Sequence, residues 1–561
     1  MITRTIMNLN KYKLLISAIS TLFISYLSFG FYFERYEPLA VSLISGVFTP
    51  GMLYDDFFYL AHIGIVKLFA YLFAYFPNIA WLSVFQYTYL LIAYILIINV
   101  FGKLIKSKVG FMLFLLGFSI FFMEYYVLHV MTRVSYILSF SVLLQLMYSF
   151  HKGSLGYKTF IGLCFMFLLA VLIRPEPPSI MGLIVGLFYV VTYPANGVWA
   201  KVKNTFSIFI MPALLCTFAV LWVFFSIQKS DEFYMQIEPE VEYELMARNN
   251  FVPISQMENE RDSLRYEAIY LGIWGDATTN NASFLRSLIG EDHTNLSYLI
   301  ENAKSSIDFS AKNCLGIFYL HISSFAMAIL LLLIVKPIAS LRLFVFELIF
   351  GSIIFLMSFK VKMVETSLSP MLFAGTLLIY FYFFQQAIKW RFLIFIPIIG
   401  FSIYQLGFLA RVVESFEKDY LASKEIRQQL EDEYPSKKLF IDRIAFEFLF
   451  RGFKPFQILK FEKLGKLYLF DSQHLSTVQP YKKYLQQDCH CDPNNYQEYW
   501  SYILREKTNS VIFIDKNNAR FYQEYLNKVH QVSTTWRKTD FKESLGNRAG
   551  YMDKLDFFEL E

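Results

Sequence analysis

The chain has 561 residues, of which 56% are hydrophobic and only 17% charged, and it carries a net charge of +5. Soluble domains carry about 25% charge, so the composition excludes an ordinary soluble protein, and the near-balanced charge excludes a nucleic-acid surface. The 61 Phe and 38 Tyr suit bilayer interfaces and aromatic-lined clefts.

The first apolar run, residues 14–33, follows Arg4, Lys11 and Lys13. Phe31-Tyr32-Phe33 lacks the small residues of a cleavage site, so an uncleaved anchor is expected. Further runs able to cross a bilayer are 79–101, 111–131, 136–150, 160–173, 180–193, 206–227, 315–335, 343–359, 371–384 and 392–410, eleven in all. A twelfth, 57–76, contains His62 and Lys67. Basic residues decide its role. If 57–76 lies along the outer surface as an interfacial helix, the cytoplasmic loops hold Lys103, Lys106 and Lys108; Lys152 and Lys158; Lys201 and Lys203; Lys336 and Arg342; Lys389 and Arg391. Each is then basic, as the positive-inside rule requires. The N-terminus is therefore expected inside and the C-terminus outside.

Two external parts follow. The polar insert 229–313 is acidic, with Glu238, Glu240, Glu242 and Glu244 close together. The tail 411–561 reads as a soluble α/β domain. It begins with a charged helical lead, 416–433, stopped by Tyr434-Pro435. Buried-strand patterns follow at 467–471 and 511–515, with a helical stretch at 518–529. The fold class is thus a polytopic α-helical membrane protein, residues 1–410, with a C-terminal soluble α/β domain, residues 411–561. Five cysteines imply no disulfide framework, and Cys489-His490-Cys491 has neither the spacing nor the second pair of a zinc site.

The candidate chemistry starts with Asp55 and Asp56, which follow Thr49-Pro50-Gly51 in the first external loop. One carboxylate would act as a general base on an acceptor hydroxyl, and its neighbour would raise its pKa or bind a divalent metal, the less favoured role. Alternatively, the pair caps helix 57–76. A second group comprises Arg133, Arg174, Lys360 and Lys362, cations at external span ends where the same charge rule expects few. At that depth they suit an anionic headgroup such as a lipid phosphate. Alternatively, they pair with Glu124, Glu176 or Glu365, or snorkel. Pro175-Glu176-Pro177-Pro178 is expected to form an extended, helix-breaking turn holding Arg174 and Glu176 beside a cleft. His129 and Glu124 are titratable groups in the outer half of a span, which makes them site candidates.

With its acidic pair in Tyr54-Asp55-Asp56, a surface helix at 57–76, external cations Arg133, Arg174, Lys360 and Lys362, and a soluble tail on the same side, the chain resembles the lipid-carrier-dependent glycosyltransferases of the GT-C fold. The resemblance covers about residues 14–410. It implies transfer of a sugar from a polyprenyl-phosphate donor to a glycan, lipid or protein acceptor outside the cytoplasm, with inversion at the anomeric carbon. It assigns the base to Asp55 or Asp56 and the donor phosphate to Arg133, Arg174, Lys360 and Lys362; Glu176 and His129 join them as substrate-binding candidates by their position in the sequence. The expected location is a bacterial inner (plasma) membrane. The chain has no clear second acidic pair near a span, which argues against a metal-dependent variant. Two other readings stay open: a polymerase or ligase of lipid-linked glycans, and a transporter or flippase without covalent chemistry.

Overall fold

A computed structural model describes residues 2–33, 63–153, 155–174, 176–193, 209–210, 212–218, 221, 259–271, 284, 287, 296–360, 365–386, 391–442, 445, 449, 454–455, 466–471, 486, 490, 495–506, 510–538 and 555–560. The protein is a helical membrane protein. Seven of its described helices are long and apolar enough to cross a membrane.

The chain opens with α1 (Ile2–Phe29), then a two-residue strand, β1 (Tyr32–Phe33). After α2 (Ile63–Tyr75) come α3 (Trp81–Leu104) and α4 (Lys108–Val127), then β2 (Leu128–His129). Next are α5 (Met131–His151), α6 (Tyr157–Ile173) and α7 (Glu176–Thr192). The insert contributes α8 (Glu260–Leu271) and α9 (Leu296–Asn313). The bundle resumes with α10 (Leu315–Val335), α11 (Pro337–Lys360), α12 (Glu365–Gln385) and α13 (Phe395–Glu433). The seven long apolar helices are α3, α4, α5, α10, α11, α12 and α13; apolar but shorter are the 13–29 part of α1, α6 and α7. The run 206–227 is described only in part, as helix.

Two helices occupy the middle of the bundle. The apolar windows of α5 and α12 are 89% and 94% buried, against 33% for α10 and α11. These two also have the lowest mean hydropathy of the seven. A helix surrounded by protein tolerates small polar residues, whereas one facing lipid must stay apolar. Ser135, Ser139 and Ser141 of α5 and Thr376 of α12 are accordingly buried, their hydroxyls returned to backbone carbonyls of nearby turns or of α6.

Polar contacts mark the two ends of the bundle. At one end Asn99 donates to Gln145 (3.0 Å), Lys103 lies over the Tyr148 ring, and Lys336 donates to Gln386. At the other, Tyr87 donates to the carbonyl of Tyr126 (2.9 Å), and Ser135 bonds the carbonyls of Ala170 and Arg174.

Several expectations change in detail. α5 begins at Met131, so Thr132 and Arg133 lie in its first turn and not in a loop. The helix does stop at Ile173 with Arg174 extended, as expected, but the turn is shorter than expected: Pro177 and Pro178 already occupy the first turn of α7. There the amide hydrogens have no intrahelical partner, so a missing N–H costs nothing and the fixed φ already suits the helix. The expected boundary at residue 410 falls inside α13, a single 39-residue helix. At 1.5 Å per residue it runs about 58 Å, well beyond the roughly 30 Å of hydrocarbon. Its apolar first half packs in the bundle, and its charged second half, from Arg411, ends with Tyr434 as C-cap. Of the expected surface helix, 63–75 is described as helix, and 57–62 lie outside the described residues.

Beyond α13 lies a five-stranded mixed sheet in the order β4-β3-β5-β7-β6: β3 (Lys438–Asp442), β4 (Lys466–Asp471), β5 (Ser510–Asp515), β6 (Trp536–Lys538) and β7 (Leu555–Leu560). β4, β3 and β5 run parallel, while β7 pairs antiparallel with both β5 and β6. α14 (Tyr496–Arg505) and α15 (Lys516–His530) accompany it. The Trp500 ring, fully buried, stacks on Trp536 with centroids 5.8 Å apart. β3, β6 and β7 were not legible as strands; Trp536–Lys538 is too short to show alternation.

Candidate functional site

The end of the bundle formed by the last turn of α4 and the first turn of α5 gathers most of the described candidates. Glu124 lies three residues before the end of α4 and is 1% exposed. Its carboxylate accepts from Ser369 of α12 (2.9 Å) and Gln405 of α13 (2.7 Å), and it pairs with Arg133 of α5 at 3.4 Å. Arg133 is itself 2% exposed and also reaches the carbonyl of Leu128. A buried charge is tolerated only when paired and hydrogen-bonded. Here one carboxylate receives donors from three other helices and ties four helices together.

Gly316, at the start of α10, is part of this fit. A Cβ built there would lie 2.1 Å from Gln405 Oε1. Gly316→Ala is therefore expected to push Gln405 off Glu124 and to destabilise the protein by about 1–3 kcal/mol, the usual cost of overpacking. The midpoint of SDS-induced unfolding of the solubilised protein checks this.

Above the buried pair sits an exposed layer. Arg174, the residue after α6, donates from Nη1 to Thr132 Oγ1 (2.9 Å) and from Nε to Glu176 Oε2 (3.3 Å). Its side chain is 39% exposed and that of Glu176 62%. Nη2 of Arg174 has no partner among the described residues. The guanidinium is thus oriented by two neighbours with one edge left for an anion. Arg133 and Arg174 therefore differ: Arg133 meets the pairing alternative, while Arg174 pairs with Glu176 and keeps a donor edge.

The remaining candidates are placed as follows. His129 is in β2, and its backbone is paired with Phe33 of β1 in a parallel register, Tyr32 beside Leu128. This ladder fixes the first residues after α1 against the α4–α5 junction. Asp55, Asp56 and Lys362 themselves lie outside the described residues. Lys360 is the last residue of α11.

The tail reaches the same end. Tyr32 donates to the Glu417 carboxylate of α13, Lys454 pairs with Glu417 at 3.4 Å, and Ser83 at the start of α3 donates to the carbonyl of Pro455. The insert also meets the tail: α8 packs on α15, where Lys528 bonds Glu260 and Glu524. Hydrogen bonds from Lys528 to these two carboxylates hold its ammonium above its ordinary pKa.

Sequence reasoning passed over Ser369, Gln405 and Thr132, because a single hydroxyl or amide in an apolar run has no visible partner. It also passed over Glu347, inside the run 343–359, and His321, inside 315–335. There the signal was present, since an ionisable side chain within a span marks a functional site by default. Compared with known families, curated proteins and solved structures, the chain matches none.

Proposed function

We propose that the protein is an inverting membrane glycosyltransferase that moves a sugar from a polyprenyl-phosphate donor to an extracytoplasmic acceptor. In this reading the chain has eleven spans, and its tail from 411 is an extracytoplasmic α/β domain over the site. The observation that supports the proposal is the pairing of Phe33 with His129, which holds the chain just after α1 at the end of the bundle that carries Arg174. The charge pattern supports the orientation. Lys103, Lys106, Lys108, Lys152, Lys158, Lys336 and Arg391 lie at or beyond the helix ends opposite that edge, as basic residues do on the cytoplasmic side.

The chemistry follows from placement. The donor's tail lies between helices and its phosphate at the outer boundary, against Arg174 and Lys360. Asp55 or Asp56 takes the proton of the acceptor hydroxyl as that oxygen attacks the anomeric carbon from the face opposite the phosphate. The bond from carbon to phosphate oxygen breaks, and the polyprenyl phosphate leaves with its new negative charge beside the cations. Holding both substrates makes the displacement effectively unimolecular.

The test is a transfer assay on the full chain in nanodiscs with polyprenyl-phosphate sugars, reading product and anomeric configuration. An inverted product supports the proposal. Full activity in an Asp55→Asn/Asp56→Asn variant points to a ligase, and movement of the donor with no covalent product points to a transporter. Arg174→Ala is expected to raise the donor KM by about tenfold or more, since a charge-assisted hydrogen bond contributes about 1.5–3 kcal/mol. Arg174→Lys, lacking the planar fork, is expected to recover only part of this. A reporter fused at the C-terminus is expected to read as extracytoplasmic; a cytoplasmic signal overturns the topology and the site with it.

A further inference from the structure

Two polar clusters inside the bundle pair their charged groups internally. His321 of α10 meets Thr376 (3.2 Å) and Glu347 of α11 (2.5 Å), and Glu124 meets Arg133, Ser369 and Gln405. The first turn of α5 is different. Thr132 is only 8% exposed and accepts from Arg174 Nη1 (2.9 Å). Its own hydroxyl hydrogen has no acceptor among the described residues. A hydroxyl both donates and accepts, so Thr132 stands against the guanidinium with its donor unused.

The backbone that carries Arg174 is fixed as well. Its N–H donates to the carbonyl of Ala170 (3.2 Å). Ser135, fully buried, shares its hydroxyl hydrogen between the carbonyls of Ala170 (2.9 Å) and Arg174 (3.0 Å). α5 therefore holds residue 174 at both ends, through Ser135 at the backbone and Thr132 at the guanidinium. A long side chain loses rotamer freedom when it grips a ligand; here most of that ordering is already in place.

The free groups at this corner are donors, and donors held beside a cation suit an anion. A helix N-terminus commonly supplies amide hydrogens to a phosphate. The first turn of α7, however, reads Glu176-Pro177-Pro178, and each proline removes one such hydrogen. Glu176 also occupies Nε of Arg174. Side chains supply what that turn lacks: Nη2 of Arg174 and the hydroxyl of Thr132. A phosphate carries enough acceptor oxygens to take both.

We propose that Thr132 is a second phosphate-binding residue, whose hydroxyl donates to the same polyprenyl phosphate that Nη2 of Arg174 holds. The inference rests on the phosphate role given to Arg174 above and adds a ligand contact that Arg174 alone does not provide.

The test is equilibrium binding of tritiated farnesyl phosphate to the full chain in a maltoside detergent, which carries no phosphate of its own. Farnesol and inorganic phosphate serve as competitors. Thr132→Val keeps the branched shape and loses the hydroxyl. It is expected to weaken binding about tenfold, as loss of one hydrogen bond to a charged group does, and Thr132→Ser is expected to restore most of it. The Arg174→Ala background separates direct contact from orientation. If Thr132 only aimed Arg174, Thr132→Val would cost nothing further there. As a donor in its own right it is expected to weaken binding again, by about threefold or more. Equal affinity of Arg174→Ala and the double variant overturns the proposal, and so does parent-like binding by Thr132→Val. A parent chain that binds farnesyl phosphate no better than farnesol overturns the phosphate role of Arg174 itself, a result distinct from failure at Thr132. Displacement of the probe by inorganic phosphate at equal concentration assigns the seat to the free ion and overturns the lipid assignment. SDS-induced unfolding midpoints equal to the parent's are expected for the Thr132 variants, so that lost binding is not lost fold.

Discussion

Asparagine at both Asp55 and Asp56 is expected to lower sugar transfer by about 100- to 10,000-fold, the range a positioned general base contributes. The effect is expected in kcat more than in the donor KM. The base acts on the acceptor proton as the new bond forms, whereas the donor is held by its tail and by cations such as Arg174. The two single variants divide the roles: the one that matches the double variant names the base. A structural cap behaves differently. Asparagine is also a good N-cap, so the double variant would then keep its activity, and that result removes the acid from the mechanism. Donor binding retained in the inactive double variant separates lost chemistry from lost folding.

The second large effect is structural. Glu124→Leu is expected to destabilise the protein by about 3–5 kcal/mol, because it removes the carboxylate that balances the Arg133 charge inside the bundle. Ser369 and Gln405 lose their acceptor in the same step. The double variant Glu124→Leu/Arg133→Met is expected to recover most of the loss, since replacing both members of a buried pair with apolar groups is often close to neutral. SDS-induced unfolding midpoints of the three variants and the parent measure this cycle. A single variant as stable as the parent would mean that Arg133 finds another partner, and the network would not be what holds α4, α5, α12 and α13 together.

The two predictions fall on opposite sides of what the sequence showed. Asp55 and Asp56 stood out because carboxylates beside an apolar run are conspicuous in one dimension. Glu124 was visible as a titratable group within a span and as a possible neighbour of Arg133. Its true partners, Ser369 and Gln405, are 245 and 281 residues away along the chain, and no local spacing connects them. Pro177 and Pro178 made the turn after Ile173 look longer than it is, for a related reason. Proline breaks a helix interior but suits a first turn, and which applies depends on where the helix starts.

By itself, the sequence determined that this is a helical membrane protein, roughly where most spans lie, and which charges sit at their ends. Apolar length and charge flanks are local quantities, and bilayer insertion reads them locally. Only the tertiary structure decided that α5 and α12 are central, that Arg133 is committed to Glu124 while Arg174 keeps an open edge, and that His321 meets Glu347. Those outcomes depend on which helix faces which. In a membrane, where lipid is as apolar as most side chains, that choice rests on small residues and a few polar contacts scattered across the chain.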